Sequence, residues 1–405
     1  MTLPAFLVAN AASLLGNSAI AVVLPWLVLE RTGNPAVAGL VAALSAVPGA
    51  VAALVGGWLI DHLGRRLMSV VSDIGSAVSV AALAVVDLTV GLDVGWFIAL
   101  GVLGALFDAP GMTARNTLLA NVSQTSGVSL EKISGMVGAV FGLSFLVGPA
   151  AAGWLLAVLP SVQVVWVTAG CSALAALAIA VMPLDASDPV QPESSSPLAG
   201  FGYVRRSAPL LALLIVQGAA AVLVSPLLSV ILPAHFTALG APGRLGLSLS
   251  GYALGTMLGS AVFGWGFGQR HWRAWVVANA CMVVSGLALA PLVGFWLVGA
   301  AMLMAGIGSG LVQPVTTVVL TTAVPDALRG RVFSVYSTLS LVVAPAGLGL
   351  MSVVIGALGM RAAGWVVGLG LAAVSAYALV VPGLRHWLDR PAGAEPSPAC
   401  GGPGS

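Results

Sequence analysis

The chain has 405 residues, of which 59% are hydrophobic and 7% are charged, and its formal net charge is +2. An ordinary soluble domain carries about 25% charged residues, so this composition excludes a protein with a water-facing surface all round. The basic residues are scattered over the loops rather than gathered in a patch, and we therefore expect no nucleic-acid partner.

Apolar stretches recur along the whole chain, and each is long enough for the roughly 20 residues with which a helix crosses a hydrocarbon core. They are rich in Ala, Leu, Gly and Val and do not alternate between polar and apolar residues, which favours packed membrane helices over strands. We predict an all-α integral membrane protein with twelve transmembrane helices. The predicted segments are approximately 5–30, 35–60, 67–90, 95–121, 132–159, 161–182, 209–236, 247–267, 273–294, 295–324, 332–358 and 361–384.

A polar stretch rich in Pro and Ser separates the sixth segment from the seventh. Such a stretch cannot span a membrane and is typical of a linker. It predicts an N-terminal six-helix half at 1–182, a cytoplasmic linker at 183–208, a C-terminal six-helix half at 209–384 and a disordered cytoplasmic tail at 385–405.

The loop charges predict the orientation, because Lys and Arg near helix ends favour the cytoplasm. With the N-terminus inside, twelve of the fifteen basic residues are cytoplasmic. Only Arg31, Arg244 and Arg361 then lie outside. We expect a multi-pass protein of the cell membrane with both termini in the cytoplasm.

Two polar patterns recur at an offset of about 200 residues. Residues 108–110 (Asp-Ala-Pro) and 148–150 (Gly-Pro-Ala) are followed in the second half by 313–314 (Gln-Pro) and 344–346 (Ala-Pro-Ala). Parallel six-helix repeats describe one of the large transporter architectures, whose substrate site lies between the halves near the midplane.

The loop at residues 57–66 reads GlyTrpLeuIleAspHisLeuGlyArgArg. It resembles motif A of the major facilitator superfamily and departs from it at His62, where the family usually has Arg. The resemblance implies a conformational switch in which the aspartate engages the start of helix 11, around 331–334, and holds the outward-open state. Glycines allow the tight reversal, and the charged side chains can pair or cap a helix end. The switch residues are Gly57, Asp61, Gly64, Arg65 and Arg66.

The corresponding loop of the second half, at 264–273, keeps Gly264, Arg270 and Arg273 but has no acid. We interpret it as a degenerate copy of the first loop. The switch is therefore expected to depend on the first loop.

Residues 148–153 resemble motif C of the antiporter branch of this superfamily, with Ala152 in place of one glycine. The resemblance implies a gate-forming helix interface, at Gly148, Pro149 and Gly153, that favours export. Ordinary close helix packing would give a similar pattern, so both interpretations stay open.

Three further segments narrow the resemblance: 23–35, 108–115 and 325–332. Together they resemble the macrolide and multidrug efflux group of the superfamily. Membership implies drug:proton antiport, although the group also contains siderophore exporters and members with lipid-like cargo.

Two acids lie well inside predicted helices, and an intramembrane charge is a functional hypothesis by default. Asp108 lies in segment 4 and shares a helix face with Arg115, seven residues on. Asp73 lies in segment 3. Each is a candidate for proton coupling, and for each the alternative is a fixed salt bridge or hydrogen bond, to Arg115 or to an arginine of the 57–66 loop. Glu30 and Asp87 are near the outer helix ends.

The family resemblance implies that segments 1, 4, 7 and 10 line the substrate cavity. Their polar residues are cargo-binding candidates, with interhelical hydrogen bonding as the alternative. They are Asn10, Asn17, Gln217, Gln313 and Thr317. Because Lys132 is the only lysine, no lysine in the cavity could bind an anion and no ATP-binding P-loop can be formed, so a lipophilic or cationic cargo is favoured.

We therefore predict proton-coupled export of a lipophilic or cationic small molecule by alternating access, by a monomer in the lipid bilayer without metal or cofactor. Export of a siderophore or lipid-like metabolite, or uptake, stays open. We predict that the protein is not an enzyme, because the four histidines lie at loops or helix ends and no nucleophile has a base at bilayer depth.

Overall fold

Because the hydrocarbon layer offers no water to hydrogen-bond with the backbone, the chain must satisfy its peptide groups within helices. In the computed structural model, residues 2–182, 202–205, 207–264, 271–322, 324, 326–381, 385 and 388 are described. All regular elements in these ranges are helical. The all-α membrane fold is therefore confirmed. Most of the predicted linker, the loop at 265–270 and the tail lie outside the described residues, apart from isolated positions.

The spans follow the predicted segments closely. The first half contains α1 (Thr2–Thr32), α2 (Pro35–Leu63), α3 (Arg65–Thr89), α4 (Val94–Ser126), α5 (Leu130–Val158) and α6 (Ser161–Ala180). The second half contains α7 (Ala208–Ala238), α8 (Pro242–Val262), α9 (His271–Leu289) and α10 (Phe295–Thr322). A final helical run, Asp326–Val380, is broken at Gly359, whose φ of 80° and ψ of 171° are not helical. It therefore consists of α11 (326–358) and α12 (360–380).

Two features of the second half are associated with prolines. α9 ends at Leu289 rather than near residue 294, because Pro291 cannot donate a backbone hydrogen bond to continue the helix. Within α7, Pro226 is followed by a π-helical turn at Leu227–Ile231, a feature that widens a helix locally.

Helix packing repeats between the two halves. In the first half α1 packs on α5 and α6, α2 on α4, and α3 on α4 and α6. The second half shows the same pairs six helices later, and the two halves meet where α2 packs on the final helical run and α5 on α8. The two most extensive contacts between the halves each join the second helix of one half to the fifth of the other, since Ser352 of α11 contacts α2. Smaller contacts join α7 to α1 and α2.

The hydrophobic core is shared between the halves on one side of the bundle only. We call the side on which residue 2 lies the N-terminal side. On the opposite side, one continuous cluster takes residues from all twelve helices, including Leu27, Phe97, Phe236 and Met351. On the N-terminal side, each cluster among the described residues belongs to a single half. The halves are therefore joined on the opposite side and separate on the N-terminal side.

Backbone contacts hold α5 against α8 on the joined side. A Cβ added to Gly246 would lie 2.2 Å from the carbonyl oxygen of Pro149, and one added to Gly153 would lie 2.5 Å from that of Pro242. The backbone N–H of Ala150 donates to Ser250 at 3.1 Å. Only glycine allows this approach, as in other close membrane helix pairs.

We expect Gly246→Ala to lower the free energy of unfolding by about 1–3 kcal/mol, the usual cost of an extra methyl group in a packed core. The measurement is thermal denaturation in detergent. Gly243→Ala is the control, because a Cβ there meets only the Gly153 carbonyl oxygen at 3.9 Å. Equal stability of the two variants would contradict the close backbone contact.

Candidate functional site

A cavity of about 280 Å³ lies within the first half, lined mainly by α1, α2, α3, α4 and α6. Asp108 and Asn17 line it, and Ser229 and Leu348 of the second half also reach it. Asp108 accepts a hydrogen bond from Ser76. The structure thus brings two of the predicted residues, Asp108 and Asn17, to one cavity that contacts both halves.

Asp73 and Arg115 form a buried ion pair between α3 and α4. Their closest atoms are 2.6 Å apart, and each side chain is 4% exposed. Ser13 of α1 donates to the same carboxylate oxygen at 3.1 Å. A buried charge needs such partners, because the desolvation cost is large without them. For Asp73 the arrangement favours a fixed salt bridge, and Asp73 rather than Asp108 makes the ion pair with Arg115.

A second cavity, of about 230 Å³, lies inside the C-terminal half. Gln217 and Gln313, both predicted, line it together with Asn279 and Tyr336. Gln217 Nε2 donates to Thr316 at 3.3 Å, and the Tyr336 hydroxyl donates to Gln313 Oε1 at 3.2 Å. None of the described residues that line this cavity is charged. It offers a neutral set of amide and hydroxyl groups among apolar side chains, as small-molecule sites commonly do.

The remaining cavity candidates have other contacts. Asn10 is buried and donates to the carbonyl of Phe6 in its own helix at 2.8 Å. Thr317 donates to the carbonyl of Gln313 at 3.1 Å and is exposed. Neither lines the two cavities described above.

The loop that resembles motif A is a tight reversal between α2 and α3. Gly64 has a φ of 84°, which favours glycine, and its N–H donates to the carbonyl of Ile60 at 2.9 Å. Arg65 donates to Asn121 at 2.8 Å, and Arg66 donates to the carbonyl of Ala180 at 2.6 Å. Both arginines therefore hold the start of α3 to the C-terminal ends of helices of the same half, where positive charge is favourable.

The predicted contact of Asp61 involves residues outside the described part of the chain. The side chain of Asp61, the surroundings of Gly57 and the side chains of the expected contact region at 331 and 333–334 lie outside the described residues. The predicted switch contact of Asp61 therefore stays a prediction.

The residues that resemble motif C lie at two helix contacts. A Cβ on Gly148 would overlap the hydroxyl of Ser18 in α1, at 1.8 Å. Pro149 and Gly153 face α8 at the contact between the halves described above. These residues thus join α5 to a helix of each half.

Sequence reasoning missed several residues of the cavities. Tyr336 lies on α11, a helix that the family resemblance did not assign to the cavity, and Asn279 lies on α9. Ser76 is three residues from Asp73 on α3, and that spacing on one helix face could have indicated it. Tyr252 lies between glycines of α8 and gave no signal.

The two six-helix halves with cavities near mid-span define a membrane transporter. The family model of the Major Facilitator Superfamily matches residues 6–340 and, in a second overlapping match, residues 220–402. The chain belongs to the Major Facilitator Superfamily.

The chain also matches individual proteins along most of its length. It is 33% identical over 383 residues to the multidrug efflux pump Tap of Mycolicibacterium fortuitum, covering 92% of this chain and 93% of that protein. It is 22% identical to macrolide efflux protein A of Streptococcus pyogenes, covering 84% and 85%. A crystal structure of the nucleoside transporter NupG matches with a TM-score of 0.79 at 11% identity, covering 94% and 100%. That likeness concerns the fold alone.

We expect Asp73→Asn to lower the free energy of unfolding by about 3–5 kcal/mol, because Arg115 would stay charged and buried without its partner. The double variant Asp73→Asn/Arg115→Gln should recover part of this loss. The control is Asp87→Asn, which breaks the pair with Arg31, a residue 37% exposed, and should cost at most about 1 kcal/mol. Thermal unfolding in detergent measures all three, and a loss for Asp73→Asn no larger than the control's would contradict the assignment.

Proposed function

We propose that this protein exports lipophilic or cationic small molecules from the cytoplasm across the cell membrane, in exchange for protons, by alternating access. The observation that carries the proposal is the carboxylate of Asp108 in a cavity that residues of both halves line. A carboxylate at that position can take up a proton from one side and release it to the other as access alternates.

The cargo class is supported by the relatives and by the charges of the cavities. Two curated relatives are named as a multidrug efflux pump and a macrolide efflux protein. Asp108 is acidic, whereas the residues lining the second cavity are neutral. An acid in one cavity and neutral amides in the other suit a molecule with a basic nitrogen and a largely apolar body, because a carboxylate can pair with the cation and the amides can hydrogen-bond to the rest.

Alternating access is supported by the two sides of the bundle. The shared core on the opposite side joins the halves, while separate cores on the N-terminal side let each half move as a unit. We propose that the N-terminal side is cytoplasmic, as the loop charges favour. The two moving units are the halves at 1–182 and 209–384, joined by the 183–208 linker, and a single chain contains both.

The direct test uses inside-out vesicles with an imposed pH gradient, acid inside, and ethidium as the probe. We expect accumulation of ethidium that stops when the gradient is collapsed. Accumulation that persists without any gradient would contradict proton coupling, and accumulation driven by an alkaline rather than an acid lumen would contradict exchange for protons.

We expect Asp108→Asn to abolish the dependence of transport on the pH gradient, because an amide cannot exchange a proton in this range. Asp93→Asn is the matched control: Asp93 accepts from the backbone N–H of Trp96 at 2.9 Å as the N-cap of α4, and asparagine caps a helix equally well. Initial rates against imposed pH difference measure the effect. A gradient response by Asp108→Asn equal to that of the control would exclude Asp108 as the coupling acid.

A further inference from the structure

A third cavity, of about 500 Å³, lies between α5 and α8. These two helices belong to different halves and touch closely on the joined side, through Gly153 and Gly246. Toward the N-terminal side they leave this cleft between them. Its lining consists of Gly138, Phe141, Gly142, Phe145, Tyr252, Ala253, Thr256, Met257 and Ser260.

The hydroxyl groups of this cleft already have partners within the second half. Tyr252 is hydrogen-bonded to Ser309 at 2.8 Å, and Thr256 donates to the carbonyl of Tyr252 at 3.0 Å. Ser260 donates to the carbonyl of Gly310 at 3.0 Å. The cleft therefore presents few polar groups in need of a partner, so an apolar molecule fits it better than a polar one.

The α5 wall is aromatic and reaches the lipid-facing surface. Phe141 and Phe145 stack with ring centroids 4.7 Å apart, and both side chains are exposed. A Cβ added to Gly138 would meet no atom within 4 Å, and one added to Gly142 would make only an ordinary contact with Met257. Since the surroundings at mid-span are lipid tails, the molecules that reach this wall are those dissolved in the bilayer.

Tyr252 lines both this cleft and the neutral cavity of the second half. The helix of Tyr252, α8, cannot shift closer to α10, because the two backbones are already in contact. A Cβ on Gly255 would lie 2.1 Å from the carbonyl oxygen of Leu303. The ring of Tyr252, held by Ser309, thus lies between the two spaces.

We propose that the α5–α8 cleft is a lateral route by which a lipophilic molecule passes from the bilayer into the cavity of Gln217 and Gln313, and that Tyr252 is its gate. The inference rests on the proposed function for the destination of the cargo, but the route itself is a property of the resting structure. It makes Tyr252 and Gly142 determinants of which molecules reach the cavity.

The route is tested by photolabelling, which does not require transport. The full chain in phosphatidylcholine vesicles is irradiated with 3-trifluoromethyl-3-phenyldiazirine, a small lipophilic probe, and the label is mapped by mass spectrometry. We expect label on the peptide that contains Gln217. Gly142→Leu, which fills the cleft, should reduce that label by roughly tenfold, the low end for one misfitting group in an apolar pocket.

Gly170→Leu is the matched control, because a Cβ there meets no atom within 4 Å and the residue is exposed. It should leave the label unchanged. Tyr252→Phe keeps the ring but loses the bond to Ser309, and should increase the label at Gln217. Size-exclusion profiles confirm that each variant is folded.

Label at Gln217 that is equal in Gly142→Leu and Gly170→Leu would overturn the route, as would label confined to α5. A lipid bound permanently in the cleft would block labelling there until extraction into detergent removed the lipid. That result would also overturn the route. If the labelling depends on the cleft as expected but proton-driven ethidium transport is absent, the proposed function alone is contradicted.

Discussion

The close contact of α5 with α8 is the constraint on which the arrangement of the two halves depends. A Cβ added to Gly153 or to Gly246 would come within 2.5 Å of a carbonyl oxygen of the other helix, so the two backbones are in direct contact at that level. Around this contact, one apolar cluster includes residues of all twelve helices. On the N-terminal side of this contact, each half has its own core. A bundle that is joined at one end and divided at the other can alternate access if the two halves rock as units, so that the divided end closes as the joined end opens.

The polar groups are divided between the halves in a way that suits this motion. Among the described residues, the charges at these sites lie in the first half: Asp108 at its cavity, and the Asp73–Arg115 pair beside it with Ser13 as a further partner. The second half holds the neutral amides and hydroxyls of Gln217, Gln313 and Tyr336. A buried charge costs free energy in every state that the protein visits, and confining the charges to one rigid half keeps their partners constant while the other half moves. The ion pair thus stabilises the first half. Asp108 is not part of this pair and has only Ser76 as a hydrogen-bond partner among the described residues.

The helices and their order could be predicted from the sequence, because apolar length and loop charge are local properties. The turn at Gly64 was predictable for the same reason. Contacts between helices were not. The spacing of Asp108 and Arg115 placed them on one face of α4, yet Arg115 pairs with Asp73 of α3. The position of one helix relative to another cannot be read from the local sequence of either helix. Asn10 was a reasonable cavity candidate as a polar residue of segment 1, but its amide donates to the carbonyl of Phe6, one turn away. Tyr336 and Tyr252 were missed since they lie on helices that the resemblance did not assign to the cavity.

Alternating access as proposed requires the two halves to move as rigid units relative to each other. Pulsed electron–electron distance measurements on spin-label pairs test it directly, with one pair across the joined side (Val90 and Val293) and one across the divided side (Gln124 and Val262). All four residues are exposed. When the pH is changed or ethidium is added, we expect one distance to lengthen as the other shortens, while the distance within the first half, between Val90 and Val181, stays constant. Two distances that change in the same direction, or a change within the half, would contradict it.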